Sequence, residues 1–196
     1  QDDTAEKIEL FKKLEFKQLL ADLDTSSTNE EVIDKTFEIE QDFQNVDLND
    51  LNEAVIHFEL EGTNYLKDTI LKFGFYTNHQ HVVINAEDVK DYKHLVQWLE
   101  DKNTTKIVYD AKKTYVSAHR LGINIENIEF DVMLASYIID PSRSIDDVKS
   151  VVSLYGQNYV KDNITIFGKG KKHHIPEEPI LNEHIASVTE AIAAVT

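Results

Sequence analysis

Glu59 and Glu61 stand two residues apart in a run that alternates apolar and polar side chains, so both carboxylates fall on one face of a strand. Paired carboxylates offer hard oxygen ligands to a divalent cation, but a pair alone holds Mg²⁺ weakly. A solvated strand face is the plainer reading of the same alternation, and it is the preferred one. Asp131 could be taken for an acid catalyst, yet its place directly before an apolar helical run fits a helix N-cap, and no chemistry is assigned to it. Lys169, Lys171 and Lys172 form the main local basic cluster and are followed by His173 and His174. A glycine-interrupted basic loop could touch a phosphate, although a solvated loop is the simpler expectation. Consecutive histidines rarely converge on one ion, and with no Cys and no regularly spaced third His a zinc site is not expected.

The elements that must position these residues follow from the apolar pattern. A chain of 196 residues with 41% hydrophobic residues can bury one sizeable core. Without Cys there is no disulfide framework, and no stretch approaches the ~18 consecutive apolar residues of a membrane span, so a soluble, cytoplasmic protein is expected. A monomer is expected as well. Asp and Glu total 36 against 20 Lys and Arg, a net charge of −16, which repels a phosphate backbone unless the few cations are segregated. The chain opens without Met and stops inside a helical pattern, from which a fragment of a longer protein is expected.

Phe16, Leu19, Leu20 and Leu23 follow helical spacing, then residues 24–29 read as a turn. From Ala54 to Glu61 a period of two predicts a strand, with Ile56, Phe58 and Leu60 on one face and His57, Glu59 and Glu61 on the other. Leu71 to Tyr76 and His81 to Ile84 predict two further strands joined by a hairpin at Thr77-Asn78-His79-Gln80. Val89, Tyr92, Val96 and Leu99 then predict a helix, Lys106 to Tyr109 a short strand, and Ala111 to Leu121 a helix closed by Gly122. Trp98 and Tyr92 are assigned to the core rather than to base stacking. A helix from Asp131 to Ile139 ends at Pro141, and Leu181, Ile185, Val188, Ile192 and Val195 mark a last helix after Pro179. An antiparallel meander followed by alternating helices and strands defines an α/β domain, a mixed sheet covered by helices.

The run Ile128 to Pro141, with Phe130-Asp131 followed by Leu134 and Tyr137-Ile138-Ile139, resembles the exonuclease-domain region of bacterial family A DNA polymerases (the polymerase I family). Residues 106–123, 145–148, 167–171 and 176–179 keep the order of further segments of that family. The resemblance implies a ribonuclease H-like fold. It also divides the chain into a linker helix over residues 1–30 and a 3′→5′ exonuclease-like domain over 31–196 that leads into a polymerase domain.

Proofreading members hold two divalent metals about 4 Å apart on four carboxylates, so that one ion activates water and the other stabilises the leaving oxygen. Carried over by alignment, the resemblance places Glu59 at the first Asp and Glu61 at the Glu of the strand motif. Asp110 falls where an Asn belongs and Thr114 at the next metal-binding Asp. With Leu181-Asn182-Glu183 as anchor, Ser187 falls at the catalytic Tyr and Ala191 at the last metal-binding Asp. A Ser hydroxyl does not orient water as a Tyr phenol does, and Ala offers no oxygen. The pattern is similar to that of the Gram-positive bacilli branch.

The resemblance therefore implies a degenerate exonuclease site with no catalytic residues, no metal and no cofactor. Mg²⁺ would be expected only for an active exonuclease or for the parent polymerase domain. The implied role is a structural module whose partner is the polymerase domain of the same chain, with DNA reached through the parent enzyme. The alternatives are a weak metal-dependent exonuclease using Glu59, Glu61 and Asp110, and an acidic interaction module that recruits a basic partner.

Overall fold

A computed structural model describes Lys7, Leu10, Lys13 and residues 33–142 and 147–196. Most of the expected linker helix, including Phe16 to Leu23, lies outside the described residues. Lys7, Leu10 and Lys13 are helical, and Leu10 packs against buried side chains of the domain.

Among the described residues the strands are β1 (Ile39–Glu40), β2 (Glu53–Leu60), β3 (Ile70–Thr77), β4 (Gln80–Asn85), β5 (Thr105–Val108) and β6 (Ile128–Asp131). They form one sheet in the order β1-β4-β3-β2-β5-β6. The β2-β3-β4 meander is antiparallel, as its periodicity predicts, and β1, β5 and β6 add in parallel. The β3–β4 hairpin turns on Asn78 (φ 48°) and His79 (φ 63°), the left-handed pair that matches the twist of a two-residue hairpin.

Helices α1 (Lys93–Glu100), α2 (Ala111–Arg120), α3 (Val132–Ile139), α4 (Val148–Val152), α5 (Asn163–Phe167) and α6 (Glu178–Ala194) complete the fold. The helix expected from Val89 to Leu99 is in two pieces, a 3₁₀ segment at Ala86–Asp91 and then α1, with Tyr92 extended between them at ψ 90°. Trp98 is buried as expected, and its indole Nε1 donates to the Leu51 carbonyl at 2.9 Å. The short strands β1 and β6 fall outside the sequence expectation, since β1 is only two residues long and the Ile128–Asp131 run reads as the lead into the helix that Asp131 caps.

The sheet is covered on both faces. Ile56, Phe58, Phe73, Phe75, Val82 and Ile84 meet Val89, Leu95, Trp98, Leu99 and Ala118 on one side. On the other, Val55 and Ile107 join Val188, Ala191 and Ile192 of α6, while Val83 meets Leu181 and Ile185. This corrects the expectation of a solvated face on β2. His57 and Glu59 are 3% and 7% exposed because α6 lies over the polar face of the strand.

Gly74 lets α6 approach so closely. A Cβ there would lie 2.5 Å from Ile185 Cγ2 and 3.1 Å from Thr189 Cγ2. Gly74→Ala is expected to destabilise the domain by about 1–3 kcal/mol through overpacking, read as a lower urea midpoint at unchanged slope. An unchanged midpoint would mean that the helix seats without that close approach.

Candidate functional site

A cleft of about 710 Å³ opens where β2 and β5 end, the edge at which parallel strands leave a crevice for ligands. Its wall is built from five places. His57 and Glu59 come from β2, Asp110 and Lys113 from the start of α2, and Asp147 and Lys149 from the start of α4. Asn163 and Phe167 come from α5, and His184 and Val188 from α6.

Three carboxylates fix the geometry around this cleft by capping. Asp131, the N-cap of α3, accepts from the Leu134 amide, and also from the amides of Asp110 at 2.9 Å and Ala111 at 2.8 Å. The role expected from sequence is therefore present, and the same side chain also ties the start of α2 to the start of α3. Asp110, at φ 72°, caps α2 by accepting from the Lys113 amide. Asp147 closes a capping box with Ser150 on α4 and accepts from the Asn163 amide at 2.9 Å, so α4 and α5 are held together. Each is engaged by backbone N–H groups that burial would otherwise leave unpaired.

His57 Nε2 and Glu59 Oε2 are 2.7 Å apart, both deep in the cleft. Burial works against ionising either group. In Glu59 it is outweighed by the hydrogen bond from His57 and the fields of His57, His184 and Lys113, which hold the carboxyl below the usual range. Burial, then Lys113, holds the His57 imidazole below its ordinary value, so the pair is a carboxylate accepting Nε2–H from a neutral ring. His184 is likewise held down by burial.

These shifts have one sign for stability. A buried neutral His binds fewer protons folded than unfolded below pH 6.5, and Glu59 does so below about pH 4.5, so acidification favours the unfolded chain through both windows. The melting temperature is expected to fall as pH drops from 7 to 5, and the fall should shrink in His184→Gln. An equal fall in that variant would place the titration elsewhere.

The structure brings only part of the sequence-derived site together. Glu59 lines the cleft, and Glu61 stands at its rim, 39% exposed at its side chain and 3.9 Å from His173 Nε2. Thr114 is buried and donates its hydroxyl to the Asp110 carbonyl, while Lys113 beside it lines the cleft. Ser187 donates to the His184 carbonyl, and Ala191 packs among apolar side chains. Neither lines the cleft. His184 and Val188 do, and they preserve the four-residue spacing one turn earlier.

On β2 likewise the two side chains deep in the cleft are His57 and Glu59, with the same x spacing as the motif, whereas Glu61 lies beyond the end of the strand. The residues that α6 presents to the cleft thus lie three positions before Ser187 and Ala191. His57, Lys113, His184 and Val188 were missed as site residues. The signal available was the paired spacing 57/59 and 184/188.

Fold and cleft together define a ribonuclease H-like domain of the exonuclease kind. In solved structures, Brucella melitensis NrnC superposes with a TM-score of 0.64 at 19% identity, covering 82% of this chain and 78% of that one. Escherichia coli RNase D, an exoribonuclease involved in structured RNA processing, does so at 0.60 and 12% identity, over 82% of this chain and 43% of the other. Such identities establish the fold alone.

The family model for the DNA polymerase I, ribonuclease H-like domain matches residues 56–195, and the chain belongs to that family. DNA polymerase I of Bacillus subtilis is 32% identical over 94% of this chain, and that of Bacillus caldotenax 28% over 98%. The chain spans about a fifth of the length of these relatives, 21% and 22%. Among the described residues no helix is long and apolar enough to cross a membrane.

Proposed function

We propose that this domain carries out no 3′→5′ phosphodiester hydrolysis and serves as a structural module for the polymerase domain of a DNA polymerase I, in DNA replication and repair. In this reading the parent chain is a monomeric cytoplasmic DNA-directed DNA polymerase that reaches DNA through its other domain. The supporting observation is the side-chain set at the cleft. His57, Lys113 and Val188 occupy the wall beside Glu59, so an ammonium, a neutral ring and an aliphatic group stand where two divalent cations would need oxygen. Among the described residues no three His, Asp or Glu side chains are arranged to hold an ion. Glu59 is already committed to His57, and Asp110, Asp131 and Asp147 to backbone amides. This donor set does not fit a two-metal centre, and no step is routed through one.

The test is digestion of a 3′-labelled single strand by this chain with Mg²⁺ or Mn²⁺, beside Glu59→Gln and an EDTA control. No release above the Glu59→Gln level is expected. Release that needs metal and disappears in Glu59→Gln would overturn the reading.

A further inference from the structure

We infer that residues 33–37 form a strap clasped onto α6, and that protonation of His81 beneath it opens the clasp. None of the side chains involved lines the cleft, so the inference is independent of the functional reading above.

The strap is held by a few contacts with distant parts of the chain. The Ile33 amide donates to the Asn158 carbonyl at 3.3 Å, and the Phe37 amide to Glu183 Oε1 at 3.5 Å. Lys35 donates its ammonium to Glu190 Oε2 and lies 4.6 Å from the Tyr159 ring centroid. Beyond Phe37 the chain enters β1, where Ile39 stands opposite His81 of β4. The sheet thus anchors one end, while the strap itself depends on side-chain contacts. A segment held in this way opens at far lower cost than the whole domain.

His81 is the group that the closed strap confines. Its side chain is 8% exposed, with the Phe37 ring edge-on at 4.9 Å and the Tyr76 ring at 4.7 Å. Nε2 lies 3.4 Å from Glu190 Oε1, on the carboxylate whose other oxygen takes Lys35. Buried Nδ1 has no hydrogen-bond partner among the described residues. The neutral ring fits this setting, with Nε2–H towards Glu190 and Nδ1 bare. A second proton buries an Nδ1–H without an acceptor and sets an imidazolium close to the Lys35 ammonium.

The charged groups facing the ring are Glu190 and Glu183 of α6 and Lys35 of the strap. Tyr76 and Tyr159 stay neutral phenols, since burial and Glu190 push both upward. Burial outweighs the two carboxylates and, with Lys35, holds the imidazole below its ordinary value. Lifting the strap hydrates the ring and removes Phe37 and Lys35 from it. The open form therefore takes up the proton more readily, and acid shifts the equilibrium towards it below about pH 6.5.

The experiment is trypsin cleavage after Lys35 in the 196-residue chain, followed by mass spectrometry at pH 7.5 and 5.5. Each rate is divided by that of a free peptide of residues 31–40, so that the ratio reads the open population. The ratio is expected to rise about three- to tenfold at pH 5.5. It should stay flat in His81→Gln and rise as before in His119→Gln, whose side chain is exposed on α2. Cleavage after Lys106, which has no exposed surface, reads global unfolding and should remain at least tenfold slower. A ratio that ignores pH, a rise that persists in a folded His81→Gln protein, or cleavage of both bonds at one rate overturns the inference. Circular dichroism establishes folding. Should His81→Gln not fold, Glu190→Gln decides: faster cleavage after Lys35 at pH 7.5 supports the clasp, and an unchanged rate overturns it.

Discussion

Installing a carboxylate at two positions, as His57→Asp/Val188→Asp, is expected to create a divalent-cation site, with Mn²⁺ affinity at least tenfold above that of the unaltered domain. The new carboxylate on β2 would share one strand face with Glu59, and the new one on α6 would face them across the same cleft. Three carboxylates supply the hard oxygen donors that an imidazole and a valine side chain do not. Without metal the variant should be less stable, because it buries repelling carboxylates. Saturating Mn²⁺ should reverse this. At a hundred times Kd the linkage stabilisation is about 2.7 kcal/mol, a rise of roughly 5–11 °C for a domain of this size. Adding Lys113→Gln should raise the affinity further by removing a like charge. The control is Ser187→Asp/Ala191→Asp, which places carboxylates outside the cleft and should gain no Mn²⁺ dependence. A folded His57→Asp/Val188→Asp protein whose melting temperature ignores Mn²⁺ would refute the register assigned to the site.

Lys106→Met is expected to cost about 3–5 kcal/mol, or roughly 6–20 °C of melting temperature, a larger loss than Gly74→Ala should bring. Lys106 sits on β5 with no exposed surface, and its Nζ donates to the Asp101 carbonyl at 2.8 Å and to the Thr104 carbonyl and hydroxyl at 2.9 Å each. Its ammonium also lies 5.1 Å from the Trp98 ring centroid. These bonds close the loop between α1 and β5, from which the chain enters the strand that ends at the cleft. Burial pulls the ammonium down to about 8, so at pH 7 it still carries its proton and its charge-assisted hydrogen bonds. Met matches the length of the stem but donates nothing, so the buried Thr104 carbonyl loses its donor and the Asp101 carbonyl is left with the weaker bond from the Thr104 hydroxyl at 3.2 Å. A loss below about 1 kcal/mol by urea unfolding would show that water replaces the amine at no cost and that the loop does not depend on it.

Much of the molecule is legible in the order of its residues. The three strands of the meander announce themselves by alternation, the hairpin by Asn78 between two β-rich runs, and α3 by the Asp131 cap and the Pro141 stop. These signals are local. They depend on dihedral preference and side-chain period within a few residues, which the sequence carries directly. Family membership is legible for a related reason, since residues 106–179 keep an ordered series of matches that no short motif would supply.

The composition of the cleft was decided elsewhere. Alternation on β2 reports that His57 and Glu59 share a face but not whether water or a helix lies over it, and α6 covers it because Gly74 leaves room for Ile185 and Thr189. Which turn of α6 meets the strand ends depends on that seating, and it brings forward His184 and Val188 rather than Ser187 and Ala191. Lys106 reads along the chain as an ordinary strand cation, and only folding sets Thr104 and the Asp101 carbonyl around its ammonium. By itself, then, the sequence determined the period, caps and order of the elements, because those are set by neighbours along the chain. Tertiary structure alone decided which faces were buried and which charges met, because those are set by contacts between segments far apart in sequence.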